Sequence, residues 1–277
     1  MPPQPMTMQS AMDQCFQRLS ALEQTLQVAV FNNTKLRQRV FSLEAAEAMR
    51  QDGRNAQGQI VFAAQFAEDT IIWDLLGRPL RGFFVEVGAF DGRTFSVSLA
   101  LEHMGWKGLL VEPIPERAEQ CKQNRPGSKV VHAAVGGPEA NGETSFTVTD
   151  DYHGGMLSFR GEATPEHRRE LDGMKAKERL VTVPFTNLAT LLEGCADRID
   201  AAIIDVEGGE VEVLKGLNLV KYRPRVMIIE DDPTNAKSAV ALFMPTTDYV
   251  QVATVGCNRV YVHKDEKEIF ARIPTLG

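Results

Sequence analysis

The sequence predicts an α/β fold: a doubly wound, mostly parallel sheet that closes in a C-terminal antiparallel hairpin, preceded by a separate helix. Buried-type apolar runs, FFVEVG (83 to 88), GLLVEP (108 to 113) and SKVVHAAVG (128 to 136), alternate with helically spaced stretches, TFSVSLALEHMG (94 to 105) and IPERAEQCKQN (114 to 124). Strand, helix, strand, helix, strand requires parallel crossovers, because a parallel return needs a long connection. The same pattern resumes in AAIIDVEGGE (201 to 210) and RVMIIEDD (225 to 232), separated by the helical stretch GEVEVLKGL.

The elements follow in order. Residues 8 to 50 carry regular apolar spacing without glycine or proline, so residues 1 to 50 are read as an N-terminal helical region. From Met8 to Leu43 a heptad can be written with Met12, Leu19, Leu26, Asn33 and Val40 at a, and Met8, Cys15, Leu22, Ala29, Leu36 and Leu43 at d. A seam of that kind predicts a coiled coil, and hence a homo-oligomer joined through residues 8 to 45. The alternative is an amphipathic helix folded onto its own domain, which Phe16, Val30, Phe31 and Phe41 outside the seam would favour. QDGRNAQGQ (51 to 59) interrupts the pattern with polar residues and two glycines and reads as a linker to a domain over 60 to 277. In that domain IVFAAQFAEDTIIWDLLG (60 to 77) reads as a helix before the first strand. ETSFTVTD (143 to 150) and RLVTVPF (179 to 185) alternate like exposed strands and read as an antiparallel insertion. YVQVATVG (249 to 256) and RVYVHK (259 to 264), joined at Cys257 and Asn258, form the closing hairpin.

Composition narrows the partners. With 277 residues, 43% of them apolar, the chain can bury a full core. Thirty basic against 37 acidic residues give a formal charge of -7, which argues against nucleic acid or an anionic membrane as partner. Cys15, Cys121, Cys195 and Cys257 are scattered, so neither a zinc site nor a disulfide framework is expected. The stretch MPPQPMTMQS shows no signal-peptide pattern and no apolar run reaches the length of a membrane span, so the expected compartment is the cytoplasm.

The stretch VEVGAFDG (85 to 92) carries the first chemical signal. A glycine turn at a strand end commonly cradles a pyrophosphate, but the third glycine of G-x-G-x-x-G is missing here. Glu86 and Asp91 would repel a diphosphate, since like charges near 4 Å interact by about 1 to 4 kcal/mol. Both features argue against a nicotinamide cofactor. A ligand carrying a sulfonium and an ammonium reverses the sign of that interaction, and S-adenosylmethionine is such a ligand. Gly88, Ala89 and Gly92 would let the backbone approach its methionine end, with Glu86 and Asp91 as attracting acids. Glu112, ending the second strand before Pro113, suits a ribose diol, because one carboxylate accepts two hydrogen bonds.

VEVGAFDG, GWKGLLVEPIP, NRP, HAAVG, IDVEGGEVEVLKGL and RPRVMIIE together resemble the FkbM-like S-adenosylmethionine-dependent methyltransferases, from about Gln65 to His263. The resemblance implies a Rossmann-like class I methyltransferase sheet and O-methylation of a hydroxyl on a sugar or natural product. The implied acceptor is a small molecule or a glycan. The cofactor-binding positions expected are Glu86, Gly88, Ala89, Asp91, Gly92, Glu112, Pro113, Ala134 and Asp205. A protein of another class, a scaffold that keeps the fold without the chemistry and oligomerises through its N-terminal helix, is the alternative.

Methyl transfer from a sulfonium needs alignment of donor and acceptor and removal of one proton. Asp205 and Glu207, after a parallel strand, are the expected holders or acceptors of that proton, with His153 in the insertion as a third candidate. Glu230, Asp231 and Asp232 end the next strand, and with Asp205 they could hold a divalent metal ion through oxygen ligands. Glu210 and Glu212 are expected to match a helix dipole.

Overall fold

A computed structural model describes residues 8–54, 60–151, 154–163, 165–196 and 198–273. A long helix, α1 (Met8–Gln51), comes first, uninterrupted because no glycine or proline falls within it. The sheet domain then runs α2 (Glu68–Leu75), β1 (Phe83–Val87), α3 (Leu99–Met104), β2 (Lys107–Glu112), α4 (Pro115–Asn124), β3 (Lys129–His132), β4 (Ala134–Val135) and β5 (Glu143–Thr149). It continues with α5 (Pro165–Met174), β6 (Glu178–Thr186), α6 (Leu188–Leu192), β7 (Ala201–Ile204), α7 (Glu210–Leu217), α8 (Leu219–Tyr222) and β8 (Val226–Glu230). The last elements are α9 (Ala239–Phe243), β9 (Tyr249–Val255), β10 (Asn258–His263) and α10 (Lys267–Phe270).

The main sheet has the order β3-β2-β1-β7-β8-β10-β9. β3, β2, β1, β7 and β8 are mutually parallel, and β10 lies antiparallel between β8 and β9. Residue alternation along each strand builds two cores, one on each face. Phe84, Leu110, Ile203, Ile228 and Val260 meet α1, α2 and α3 on one face. Val85, Leu109, Val111, Ala202, Met227 and Tyr261 meet α6, α7 and α9 on the other. The predicted doubly wound sheet with its antiparallel hairpin is therefore what the chain forms.

Several boundaries differ from the expectations, each for a local reason. SKVVHAAVG is two strands: β3 pairs with β2, and after Ala133, β4 crosses to pair with β6 in a second sheet ordered β4-β6-β5. The antiparallel insertion is the β5–β6 pair of that sheet. The helix expected over 94 to 105 starts only at Leu99, because side-chain acceptors hold the preceding backbone in loop form. Asp91 accepts from the N–H groups of Arg93 and Thr94, and Glu86 accepts from that of Val97. Of the helix expected from Ile60, only α2 forms: Ala64 bridges to Phe95, and its N–H donates to Asp69 at 3.0 Å. The hairpin turn lies one residue earlier than expected, at Gly256 and Cys257, with Gly256 at φ +56°.

α1 is not held at a distance from the domain. Gln38, Phe41, Ala45 and Met49 are buried, and Phe41 packs against Phe62 and Trp73 with ring centroids 5.9 and 6.0 Å apart. Gln38 donates to the Ala64 carbonyl at 2.7 Å, and Arg54 donates to the Met104 carbonyl at 2.7 Å. The C-terminal turns of α1 thus pack into the core of the sheet domain. Residues 55–59 of the expected linker lie outside the described residues.

Candidate active site

β1 is flanked by β2 on one side and β7 on the other, so the chain winds away from it in both directions. Such a switch point leaves a crevice at the carboxyl ends of the strands. A cleft of about 520 Å³ lies there, within the roughly 300 to 1,000 Å³ of small-molecule sites. Its floor comes from the ends of β1, β2, β7 and β8, and one wall from residues 155 to 160 of the insertion.

Gly88 begins the floor. Its φ is +82°, and a Cβ there would stand 1.8 Å from the Asp205 carbonyl oxygen, so only glycine lets the turns after β1 and β7 meet. The N–H groups of Gly88 and Ala89 donate to the Val111 carbonyl at 3.0 and 3.1 Å. Glu112 ends β2 beneath that turn. Its Oε2 accepts from the Phe90 N–H and its Oε1 from the Ile114 N–H, both at 2.7 Å. Each oxygen keeps a second lone pair, and the side chain lines the cleft. Burial pushes the Glu112 carboxyl up to about 7 despite those two donors.

Of the expected residues, Glu86, Gly88, Ala89, Glu112, Pro113, Ala134, Asp205 and Glu207 all line this cleft. Asp91 and Gly92 do not. Asp91 turns its carboxylate onto its own loop, accepting also from the Thr94 hydroxyl at 2.7 Å. Gly92 is there for packing, because at its φ of +72° a Cβ would stand 2.7 Å from the Cys121 sulfur. Glu86 lines the cleft, but its carboxylate is occupied: it accepts from the Ser96 hydroxyl at 3.0 Å, the Ser98 hydroxyl at 2.5 Å and the Val97 N–H at 2.9 Å, with Arg125 Nη1 3.6 Å away. That guanidinium offsets part of its charge. His153 lies outside the described residues.

The acids at the other end of the floor are close together. Asp205, Glu207 and Glu230 each offer an oxygen within 4.8 Å of the others. Asp231 and Asp232, expected beside them, do not join: Asp231 pairs with Arg259 at 2.6 Å, and Asp232 accepts from Thr234. The cluster carries no mark of a cation beyond its own proximity. Asp205 opens onto the cleft, yet the surrounding walls desolvate it and raise its pKa. Burial and the Asp205 charge raise Glu230 well above the usual carboxylate range. Glu207, at φ +57°, is raised well above its ordinary value by burial and by Asp205. Glu210 folds back to accept from the N–H groups of Val206 and Gly208, so it caps this loop.

Sequence reasoning missed several contributors. Asn258, at the start of β10, reaches the cleft and donates to Glu68 at 2.8 Å. Phe90 lines it with φ +49°, its ring covered by the Arg117 guanidinium at 4.3 Å. Arg160 brings a cation from the insertion, and the buried His167 sets its Nδ1 3.7 Å from Glu207. An aromatic inside a glycine turn and an asparagine at a hairpin tip are the only signals that could have pointed to these. The insertion offers none, because its approach to the cleft depends on the β4–β6 crossover.

A family model, the methyltransferase FkbM domain, matches residues 86–252, well over half of the chain. Among curated proteins none matches. Solved structures similar to the chain include the O-methyltransferase TomG of Streptomyces achromogenes in complex with SAM, at 12% identity and a TM-score of 0.40, covering 79% of this chain and 87% of that one. Another is a precorrin-6y C5,15-methyltransferase of Geobacter metallireducens, at 10% identity and a TM-score of 0.35, covering 70% and 85%. On the span of the family match and the motifs within it, the chain belongs to the FkbM family of S-adenosylmethionine-dependent methyltransferases.

Proposed function

We propose that the chain moves a methyl group from S-adenosylmethionine to a hydroxyl oxygen of a small molecule or glycan, either a sugar or a natural product, with Asp205 as the proton acceptor. The observation that carries this reading is the meeting of Asp205, Glu207 and Glu230, whose oxygens lie within 4.8 Å of one another at the carboxyl edge of the sheet.

The cleft suits a ligand with a diol at one end and positive charge at the other. Glu112 offers two carboxylate oxygens where β2 ends, and the backbone of Gly88 and Ala89 leaves room above the turn. The acid floor favours a cation, because each ionised carboxylate there raises the pKa of the next. When bound, S-adenosylmethionine supplies a methyl carbon made electrophilic by its sulfonium. With that group bound, Asp205 would accept the hydroxyl proton as the acceptor oxygen bonds the methyl carbon and the carbon–sulfur bond breaks, releasing S-adenosylhomocysteine. Residues 155 to 160 cover the cleft from the insertion side and limit access of water.

Incubation with S-adenosylmethionine and a panel of sugars and polyhydroxylated natural products tests this. Formation of S-adenosylhomocysteine together with an alkali-stable methyl ether supports it. Methylation only at nitrogen or at a carboxylate, the latter giving an alkali-labile ester, would refute the hydroxyl assignment. Cofactor binding without turnover on any acceptor would favour the scaffold alternative.

A further inference from the structure

We propose that the projecting part of α1 is the interface for a second copy of this chain, paired as a parallel two-stranded coiled coil that leaves both catalytic domains on the outside. From Gln14 to Asn33 every side chain is exposed, so among the described residues no other element covers this stretch. Leu19, Leu22, Leu26 and Leu36 are each more than half exposed along it. A row of exposed leucines on one helix is an interaction surface rather than a solvated face. At about 1.5 Å per residue the arm from Met8 to Leu36 is roughly 40 Å long, enough for about four heptads.

The docked part of the helix identifies which face is free. Gln38 and Ala45 are buried against the domain, while Leu36 and Leu43, each two residues earlier, are exposed at 61% and 73%. At 3.6 residues per turn, two residues correspond to about 200°, so the docking stripe and the heptad seam lie on opposite sides of one helix. Folding of α1 onto its own domain therefore leaves the seam uncovered as far as Leu43. A partner helix can run along that seam without meeting either domain.

Charge selects the partner and its direction. Between Gln14 and Thr34 only Arg18 and Glu23 are charged. In a parallel pair the residue at g faces the following e of the other strand, which puts Arg18 of each copy against Glu23 of the other. The chain is thus complementary to itself in this register. Asn33 at an a position is buried only if two copies stay in register, and it favours two strands. Arg39 and Glu44 repeat the g–e pattern, but Glu44 already meets Arg78 at 2.9 Å, so the Arg18–Glu23 contact is the discriminating one.

Sedimentation of the full chain at micromolar concentration tests the pairing. The expected result is a dimer that Leu22→Glu with Leu26→Glu converts to monomer, while thermal unfolding of the domain and its S-adenosylmethionine affinity stay unchanged. Arg18→Glu alone should weaken the dimer by about tenfold, and Arg18→Glu with Glu23→Arg should restore it. A monomeric wild-type chain, or an oligomer that survives the two leucine substitutions, overturns the interface. A dimer unmoved by Arg18→Glu overturns the parallel register.

Discussion

Asp205 follows β7 and Glu230 ends the neighbouring parallel strand β8, and their nearness is a direct product of the register of that pair. Asp205→Asn removes the proposed base while keeping the shape. Turnover should fall by about a hundredfold or more, with S-adenosylmethionine affinity little changed; initial rates and calorimetry on the same variant check this, and near-normal turnover would move the base elsewhere. Burial also leaves a signature in stability. Asp69 and Glu112 are each pushed up to about 7, and Glu68, Asp205, Glu207, Glu210 and Glu230 are raised as well. A carboxyl raised in the folded state stabilises it fully below the unfolded value, near 4, and that contribution is lost as pH rises through the folded value. His103 and His263, lowered by burial, act in the opposite sense, but two groups oppose seven. The carboxyls with lowered pKa values, such as Glu47 at about 2, titrate below this window. The cofactor-free protein should therefore melt at a lower temperature at pH 7.5 than at pH 5, and a scan showing the reverse would contradict the acid floor. At this scale Gly88, Glu112 and Asp205 were legible in the sequence because strand ends in a parallel sheet share one edge. The bonding of Glu86 and Asp91 was not, since their donors come from a loop whose backbone no periodicity describes.

Among the elements, the loop between β1 and α3 depends on one buried cation. Arg125, from the NRP stretch after α4, is fully buried. Its Nε donates to Glu102 at 3.0 Å, its Nη1 to the Gly92 carbonyl and the Ser96 hydroxyl, and its Nη2 to the carbonyl and hydroxyl of Ser98. Glu86 and Glu102 are thereby neutralised on either side of the loop. Arg125→Met keeps the apolar stem but strands two buried carboxylates, a change of the kind that destabilises by about 3 to 5 kcal/mol. Denaturant unfolding should show that loss, and an unchanged midpoint would mean that the network does not hold the loop. The strands themselves were readable as buried runs between glycine turns. The helix over 94 to 105 was read too long because Ser96 and Ser98 bond Glu86, a tertiary contact that overrides local helical spacing.

In the whole molecule, α1 serves two surfaces at once: its Phe41–Met49 stripe completes the core beside Trp73, and its opposite side carries the heptad seam. Sequence periodicity showed the heptad seam, but not which turns of the helix dock, since that depends on the packing of Phe41, Ala45 and Met49 against the domain. Among the described residues no helix is long and apolar enough to cross a membrane. The cleft at the β1–β7 switch point is the proposed site of the family's cofactor, and Glu112 is the residue on which that reading depends most. Calorimetric titration with S-adenosylmethionine, run on the full-length protein and on Glu112→Ala, tests it directly. Removing a charged acceptor from a diol should weaken binding by about 1.5 to 3 kcal/mol, roughly ten- to more than a hundredfold. One site per chain with that loss is the predicted result; no binding by the wild-type chain, or equal affinity in the two proteins, would contradict it.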